Sequence, residues 1–421
     1  MPSAPRGGYL LTHTLIVTNI GSLCTLGRGP VPRTGEAMSD LAIQEDAALV
    51  SVDGEIVWIG PTDEVEWAGA NEILDARGCA VVPGFVDPHT HLVWAGSRER
   101  ELEMRIQGKS YMEIMQSGGG IHATVAATRA ASEQDLAIAA IARLDRMLAA
   151  GTTTLEAKSG YGLSKDAELK CLRVLRDVAR RSSATIVGTY LGAHAVPKEF
   201  PSADAYVDDI VAEQLPAVAA EEGWVRYCDA FVEQGVFTVA QAERVFENAK
   251  RMGMGVRVHA DEFADTGGAA LAARVGAASA DHLAASSDDG LEAMRKAGVI
   301  AVLLPGTPFV LRSKAYPRAR DMISMGLPVA LATDLNPNCM VDSMPFVMSL
   351  ACLQMGMTPA EALTASTINA AESLGLGHRV GSLVVGKRAD LVVVDAPDYR
   401  HLAYNINHDM VRTVVKEGRI V

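Results

Sequence analysis

Residues 81–98, VVPGFVDPHTHLVWAGSR, decide how the rest of the chain is organised. The apolar run around a Pro-Gly pair predicts a buried strand that ends at His89-Thr90-His91. Residues two apart on a strand point to the same face of the sheet, so both imidazoles face one side. Neutral imidazole is the commonest side-chain ligand of zinc-like metals, and the pair therefore predicts half of a metal site.

Length and composition narrow the class of protein. The 421 residues are 49% hydrophobic, which allows one large α/β barrel with an accessory domain. A net charge of −13 argues against a nucleic-acid partner or an anionic membrane surface, because both need a basic footprint. The chain shows neither a membrane-length apolar run nor a signal peptide, and its six cysteines show no C-x-x-C spacing. We therefore expect a cytoplasmic protein.

The two ends of the chain share a β-rich texture. Residues 9–80 contain short alternating segments, and the Asp53-Gly54 pair predicts a hairpin. Similar segments return at 381–397 and 410–421. Isolated hairpins are only marginally stable, so we expect residues 1–82 and 376–421 to pair in one small β-sandwich domain.

The middle of the chain, residues 83–375, alternates buried strands with amphipathic helices. Ser132, the Thr238–Gln241 capping box and the Thr358-Pro-Ala-Glu361 start signal mark helix beginnings. The predicted strands are 84–91, 152–158, 185–194, 227–233, 256–259, 278–282, 300–305 and 328–334. Eight strands with intervening helices predict an α/β fold of the (β/α)8, TIM-like barrel type, with its active site at the carboxyl ends of the strands.

Most of these strands end in a residue that can bind a metal or move a proton. Those residues are His89, His91, His194, His259, His282 and Asp334. In a barrel the strand ends converge on one rim. The sequence therefore predicts that these side chains gather around a metal.

Five motifs identify a family resemblance. PGFVDPHTHL, VRVHADEF, SADHL, LATDLNP and GKRADLVVVD are similar to segments of the amidohydrolase superfamily. The resemblance implies that His89, His91, His259 and Asp334 bind one divalent or trivalent metal ion, zinc or iron. Superfamily members with two metals bridge them from the fourth strand. That strand, YCDAFVEQGVF, offers no lysine here, although Glu233 leaves a second metal open.

Longer segments narrow the resemblance to the imidazolonepropionase family of histidine degradation. They are WAGSRERELEMRIQGKSYMEIMQSGGGIHATVAATRAAS, EAKSGYGLSKDAELKCLRVLRD and TYLGAHAVPKEF. The resemblance implies an anionic heterocyclic substrate, 4-imidazolone-5-propanoate, its hydrolysis to N-formimidoyl-L-glutamate, and a homodimer. The implied substrate contacts are Arg98, Tyr111, Tyr161, His194, Glu262 and Asn336, with Asn338 and Cys339 in the next turn.

The residue types suit this chemistry in part. A guanidinium can grip a propanoate through two parallel hydrogen bonds, although Arg98 could instead pair with Glu99 or Glu101. Tyr111 could equally lie on the buried face of a short helix. A metal-activated hydroxide would attack the lactam carbonyl. The metal or His282 would stabilise the negative charge that develops on the oxygen, and Glu262 or Asp334 would move the proton. The residue pattern does not choose between these two carboxylates.

One segment departs from the family pattern. Asn336-Pro337-Asn338-Cys339 stands where the family more often has NPG and a small hydroxyl residue. Two other functions stay open: a mononuclear deaminase or another cyclic-amide hydrolase of the same superfamily, and a catalytically silent scaffold. A neutral heterocycle would need no cationic anchor, and a silent scaffold predicts broken metal ligands. All four proposed ligands are present.

Overall fold

The computed structural model describes residues 12–66, 69–109, 113, 118–221 and 223–421. Within these ranges the chain forms two eight-stranded sheets. One sheet is built from both ends of the chain, and the other is built from its middle.

The first sheet joins the two β-rich flanks. Its strands run in the order β16-β15-β14-β5-β1-β2-β3, with β4 beside β1. They are β1 (Thr14–Cys24), β2 (Ile43–Val52), β3 (Glu55–Pro61), β4 (Glu72–Asp75), β5 (Ala80–Pro83), β14 (Leu391–Val394), β15 (Val411–Lys416) and β16 (Arg419–Ile420). Strand β14 pairs antiparallel with β5, so that Val392 lies opposite Val82. The prediction that the flanks pair is confirmed, whereas the domain boundaries at 82 and 376 stay a prediction.

The predicted hairpin also forms. Strands β2 and β3 are antiparallel and meet at Asp53 and Gly54, whose φ angles are 48° and 86°. Both angles lie in the left-handed region that Asp tolerates and Gly adopts freely. The Asp-Gly pair is therefore what turns the chain here.

The second sheet is a parallel barrel. Its strands are β6 (Phe85–Asp87), β7 (Thr152–Lys158), β8 (Thr185–Ala193), β9 (Val225–Val232), β10 (Gly255–Ala260), β11 (Ser279–His282), β12 (Ile300–Leu303) and β13 (Val329–Leu331). They lie side by side in chain order, and each neighbouring pair is parallel. Just beyond the strands a parallel bridge joins Thr90 to Leu335, and His91 N–H donates to the Leu335 carbonyl at 2.9 Å. This seam closes the ring and confirms the predicted barrel.

Helices alternate with the barrel strands. They are α1 (Glu99–Ile106), α2 (Ile121–Ala130), α3 (Glu133–Ala149), α4 (Lys165–Arg181), α5 (Ala203–Asp209), α6 (Leu215–Ala219), α7 (Val239–Arg251), α8 (Gly268–Val275), α9 (Asp288–Ala297), α10 (Gly306–Leu311), α11 (Ala319–Ser324), α12 (Met344–Met355), α13 (Pro359–Ala365), α14 (Ile368–Ser373) and α15 (His401–Tyr404). The predicted start signals are confirmed: Ser132 caps α3, and capping boxes begin α7 at Thr238 and α13 at Thr358. Among the described residues, no helix has the length and apolar character needed to cross a membrane.

Candidate metal centre and active site

Five side chains meet at the carboxyl end of the barrel. His89 and His91 follow β6, Asp334 follows β13, His259 lies on β10, and His282 ends β11. Asp334 Oδ1 is 3.6 Å from His89 Nε2 and 3.5 Å from His91 Nε2. The ring of His259 lies 4.4 Å from that of His89, centre to centre, and all five residues are buried. The structure thus brings together the residues that the sequence placed at strand ends.

The donor atoms form two overlapping groups that could hold a metal ion. One group is His89, His259 and His282, the other is His89, His91 and Asp334, and within each the ligand atoms lie within 4.8 Å of one another. In the described part of the chain the buried Nε2 atoms of His89 and His259 have no hydrogen-bond partner. Leaving a buried polar atom unpaired is unfavourable, so these nitrogens fit a cation at the centre of the cluster.

The protonation states suit metal binding. Burial lowers the pKa values of His89, His91 and His282 well below the ordinary histidine value, so these imidazoles are neutral at pH 7. Burial also raises the pKa of Asp334 to about 6, which leaves most of this carboxyl ionised at pH 7. Neutral imidazole and carboxylate are the forms that bind a metal.

Three polar groups orient the candidate ligands from behind. The Nδ1 of His89 is 2.6 Å from Asp281 Oδ2 in a hydrogen bond, whereas the Nδ1 of His259 is 3.0 Å from Asp229 Oδ2 in a charge contact without hydrogen-bond geometry. The Thr307 hydroxyl donates to Asp334 Oδ2, which leaves the other oxygen, Oδ1, facing the histidines. Such partners fix the ring orientation and tautomer of a ligand.

Two of these residues have left-handed backbone. His282 and Asp334 have φ angles of 77° and 53°, in the left-handed region that residues other than glycine rarely adopt. Each lies where the chain leaves a barrel strand.

Glu233 was the residue that left a second metal open. In the structure its Oε1 accepts a hydrogen bond from Gln234 N at 2.8 Å, and its Oε2 accepts one from Phe263 N at 2.9 Å. One carboxylate oxygen therefore stabilises the turn between β9 and α7, and the other links this turn to the loop that follows β10. This arrangement favours the single-metal interpretation.

A cavity of about 420 Å³ opens at the cluster. Its lining includes most of the predicted substrate contacts: Arg98, Tyr161, His194, Glu262, Asn336 and Asn338. The candidate ligands His91, His259 and Asp334 also border it. Glu262, His282 and Thr307 border an adjoining cavity of about 610 Å³ as well. The proposed metal site and the proposed substrate contacts thus share one pocket.

Tyr161 and His194 form one wall of this pocket. The Nδ1 of His194 is 3.0 Å from the Gly160 carbonyl, and its ring stacks on His91 at 5.1 Å. Burial lowers the pKa of His194 to about 3, so the ring is neutral and Nδ1 donates. The loop that carries Tyr161 is held by buried Glu168, which accepts hydrogen bonds from three backbone N–H groups at 2.7–2.9 Å.

Arg98 lies in the pocket but is already paired. Its Nε and Nη2 donate to Glu101 at 2.9 and 2.7 Å, and Glu101 Oε1 also accepts from Gly120 N at 2.8 Å. The two side chains are only 8% and 7% exposed. The alternative ion pair with Glu101 therefore forms, yet it leaves Arg98 on the pocket wall rather than on the protein surface.

The segment that departs from the family pattern forms a tight turn beside the pocket. Asn336 Oδ1 accepts from the backbone N–H groups of Asn338 and Cys339, and the Asn338 side chain accepts from Arg105. Cys339 is fully buried and contacts the Thr333 carbonyl, so the structure does not bring its thiol to the pocket. Tyr111 lies outside the described residues.

Glu262 and His282 face each other across 3.8 Å, from Oε2 to Nε2. Burial, together with the negative charges of Asp334 and Glu233, raises the pKa of Glu262 well above its ordinary value. A carboxyl group with a raised pKa beside a neutral imidazole holds its proton more firmly than an ordinary carboxyl group and is placed to pass it to a molecule in the pocket.

The sequence analysis missed the charged layer beneath the cluster. Its members are Glu156, Lys158, Asp229, Arg257 and Asp281, all fully buried. They lie on continuously buried strands, and a charged residue in such a strand is the sequence feature that could have predicted this layer. Thr307 was also missed, and nothing in its local sequence pointed to it.

Three comparisons place the chain among known proteins. Residues 80–421 match the model of the amidohydrolase family. The chain is 51% identical over 413 residues to the imidazolonepropionase of Symbiobacterium thermophilum and 49% identical over 415 residues to that of Geobacillus kaustophilus, and each match covers 97% of both chains.

Solved structures share the fold at low identity. An adenosine deaminase from Xanthomonas campestris with bound zinc superposes with a TM-score of 0.71 at 21% identity, over 96% of this chain and 92% of that one. A triazine hydrolase variant gives 0.76 at 17%, over 97% and 94%. These likenesses show the architecture, whereas the identity to curated relatives covers nearly the whole chain. The chain belongs to the amidohydrolase family and, within it, to the imidazolonepropionases.

Proposed function

We propose that this chain opens the ring of 4-imidazolone-5-propanoate by hydrolysis, giving N-formimidoyl-L-glutamate in histidine degradation. Its relatives at 49–51% identity carry the name imidazolonepropionase. The observation that carries the proposal is that the candidate metal ligands share one 420 Å³ pocket with Arg98 and Tyr161. The metal site would serve the hydrolysis of the ring, and the cationic anchor would serve the propanoate of an anionic heterocycle.

His89, His91, His259 and Asp334 would hold the metal. A bound metal supplies a Lewis acid and lowers the pKa of a coordinated water from 15.7 to about 7. Three imidazoles and a carboxylate suit both zinc and iron, and we propose one of these two. The ring nitrogens that have no hydrogen-bond partner in the described part of the chain support this ligand set.

Arg98 would anchor the propanoate. Its guanidinium has five N–H donors, and Glu101 engages those on Nε and Nη2. Glu101 in turn fixes the guanidinium plane, so that the remaining donors have a set direction before substrate arrives. Tyr161 and His194, on the adjoining wall, would position the ring through their polar atoms.

Glu262 and His282 would handle the protons. Hydrolysis forms a bond between water oxygen and the ring carbonyl carbon, then breaks the bond from that carbon to nitrogen, and the nitrogen must gain a proton. Glu262, with its raised pKa, would take the proton of water and deliver it to the leaving nitrogen. Neutral His282 would donate a hydrogen bond to the carbonyl oxygen as negative charge develops on it.

The decisive experiment uses chelated protein titrated with Zn²⁺ or Fe²⁺ while imidazolone absorbance is followed. We expect turnover to be restored in proportion to bound metal. Loss of all turnover with both metals would reject the proposal. If the protein hydrolysed a neutral heterocycle but did not hydrolyse the imidazolone, the result would favour a deaminase or another cyclic-amide hydrolase.

Two other properties belong to this proposal. We propose a cytoplasmic location, which the six free cysteines support because disulfides are rare in that reducing compartment. We also propose a homodimer, which sedimentation analysis of the full chain tests directly.

A further inference from the structure

The floor of the metal centre is a buried layer of charge. Barrel interiors are filled in layers by side chains from alternate strands. Lys158, Asp229 and Asp281 come from β7, β9 and β11, the second, fourth and sixth strands of the ring, and none has exposed side-chain surface. Lys158 Nζ is 2.9 Å from Asp229 Oδ2 and 4.0 Å from Asp281 Oδ2.

The same two aspartate oxygens face the candidate ligands. Asp229 Oδ2 lies 3.0 Å from His259 Nδ1, and Asp281 Oδ2 lies 2.6 Å from His89 Nδ1. Each oxygen thus stands between a cation below and an imidazole above. An imidazole whose Nδ1–H is held by a carboxylate presents Nε2 as the lone-pair donor.

Asp229 and Asp281 differ in their other contacts. Asp281 Oδ1 accepts from the Ser279 hydroxyl at 2.5 Å, and its Oδ2 has Arg257 within 3.6 Å. Asp229 Oδ1 accepts backbone N–H groups from Ala230 and His259. Lys158 lies nearer to Asp229 than to Asp281, and Asp281 has Arg257 as a second cation. The effect of Lys158 should therefore fall mainly on His259, the histidine beside Asp229.

We propose that Lys158 is a positioning residue of the metal site, which orients His259 through Asp229 and, more weakly, His89 through Asp281. It touches neither metal nor substrate. An ammonium fixed beside both carboxylates holds them in place, so that each can orient the imidazole above it. This inference rests on the metal site proposed above.

A purely structural role makes a different prediction. Lys158 could simply neutralise buried carboxylates, in which case its loss would lower stability without changing the metal affinity of the folded protein. Lys416 offers a matched control, because it is another buried lysine paired with a carboxylate, Asp390, at 2.6 Å, in the other sheet. Comparing the two lysines separates metal positioning from the general effect of losing a buried ion pair.

The variants are Lys158→Met, the double variant Glu156→Gln/Lys158→Met, and Lys416→Met as the control. Glu156 contacts Lys158 at 2.7 Å, so the double variant removes one charge of each sign and leaves the net charge of the layer unchanged. It therefore protects against loss of folding. Folding is checked by circular dichroism, and Zn²⁺ affinity is measured by competition with a chromogenic chelator.

We expect Zn²⁺ affinity to fall roughly 10- to 100-fold in both Lys158 variants, the range typical of lost outer partners of metal ligands, and to change less than threefold in Lys416→Met. Unchanged affinity in the folded Lys158 variants, or an equal loss in Lys416→Met, overturns the inference and leaves the metal site standing. Failure of the unmodified chain to bind Zn²⁺ overturns the metal site and this inference together.

A second measurement needs no variant. Ring ¹⁵N spectra of the zinc-loaded unmodified chain should show Nδ1 of His259 and His89 protonated, because each of these nitrogens lies beside a carboxylate oxygen. Protonation of His259 at Nε2 would contradict the inference directly. Where the Lys158 variants fold, the His259 signal should move further than the His89 signal.

Discussion

The ion pair between Arg98 and Glu101 allows a sharp test of how the pocket recognises an anion. In Arg98→Lys the positive charge stays, but an ammonium group cannot give the two parallel hydrogen bonds of a guanidinium. Both side chains are at least nine-tenths buried, and Glu101 already takes two donors of Arg98. A substrate carboxylate must share the Arg98 guanidinium with Glu101, and a lysine ammonium cannot bind both carboxylates in the same geometry.

The expected effect follows from the bonds lost. One hydrogen bond to a charged group contributes about 1.5–3 kcal/mol. At about 1.4 kcal/mol per factor of ten, KM should rise roughly 10- to 100-fold. Because Arg98 is proposed to hold the propanoate rather than the reacting carbonyl, kcat should stay within about threefold.

The assay measures initial rates of imidazolone loss over a range of substrate concentrations with saturating metal. Arg146→Lys is the control, since Arg146 is half exposed and pairs with Asp342 at 2.7 Å outside the pocket lining. A KM for Arg98→Lys within twofold of the unmodified chain would refute the reasoning. Arg98 would then serve only to hold Glu101 and the loop at Gly120.

Three further predictions concern the metal centre. His259→Ala should lower Zn²⁺ affinity, measured by chelator competition, at least about 100-fold. His282→Ala should change Zn²⁺ affinity by less than about tenfold and lower kcat about 100-fold or more. An equal loss of Zn²⁺ affinity in both variants would make His282 a metal ligand instead. Thr307→Val should remove the hydrogen bond to Asp334, weaken Zn²⁺ binding about tenfold and lower the unfolding free energy by about 1–3 kcal/mol, measured by urea titration. Because burial raises the pKa of Asp334 to about 6 and only its ionised form binds metal, Zn²⁺ affinity should fall as pH drops below about 6, and a flat profile between pH 7 and 5 by calorimetry would contradict this.

The architecture could be predicted because its signals are local. Parallel strands buried on both faces appear as short apolar runs, and several runs here are followed by a helix that begins with a side-chain cap, as at Ser202, Thr238 and Ser343. All eight predicted strands correspond to observed ones, with ends that differ by a few residues. The histidine positions followed from the same rule, because the carboxyl ends of barrel strands form a single rim.

Partners across the barrel could not be predicted in this way. The sequence RERELE offers several carboxylates to Arg98, and only the helical turn of α1, with Gly120 N–H beside it, selects Glu101. Lys158 meets Asp229 only after the stagger of the strands is fixed, and no local pattern encodes that stagger. Contacts within one turn of chain are therefore readable from sequence, whereas contacts between distant strands need the assembled ring.

The seam of the barrel has a consequence for how this protein matures. Asp87 accepts a hydrogen bond from the Thr333 backbone across it, and His89, His91 and Asp334 lie beside it. Three of the four proposed ligands therefore come from the segments that follow the first and the last strands of the barrel. A nascent chain that lacks the last barrel strand cannot assemble these three ligands, whatever metal the cell supplies. Metal binding by this ligand set would thus be confined to molecules with a closed barrel, and metal content would report how many copies have closed it.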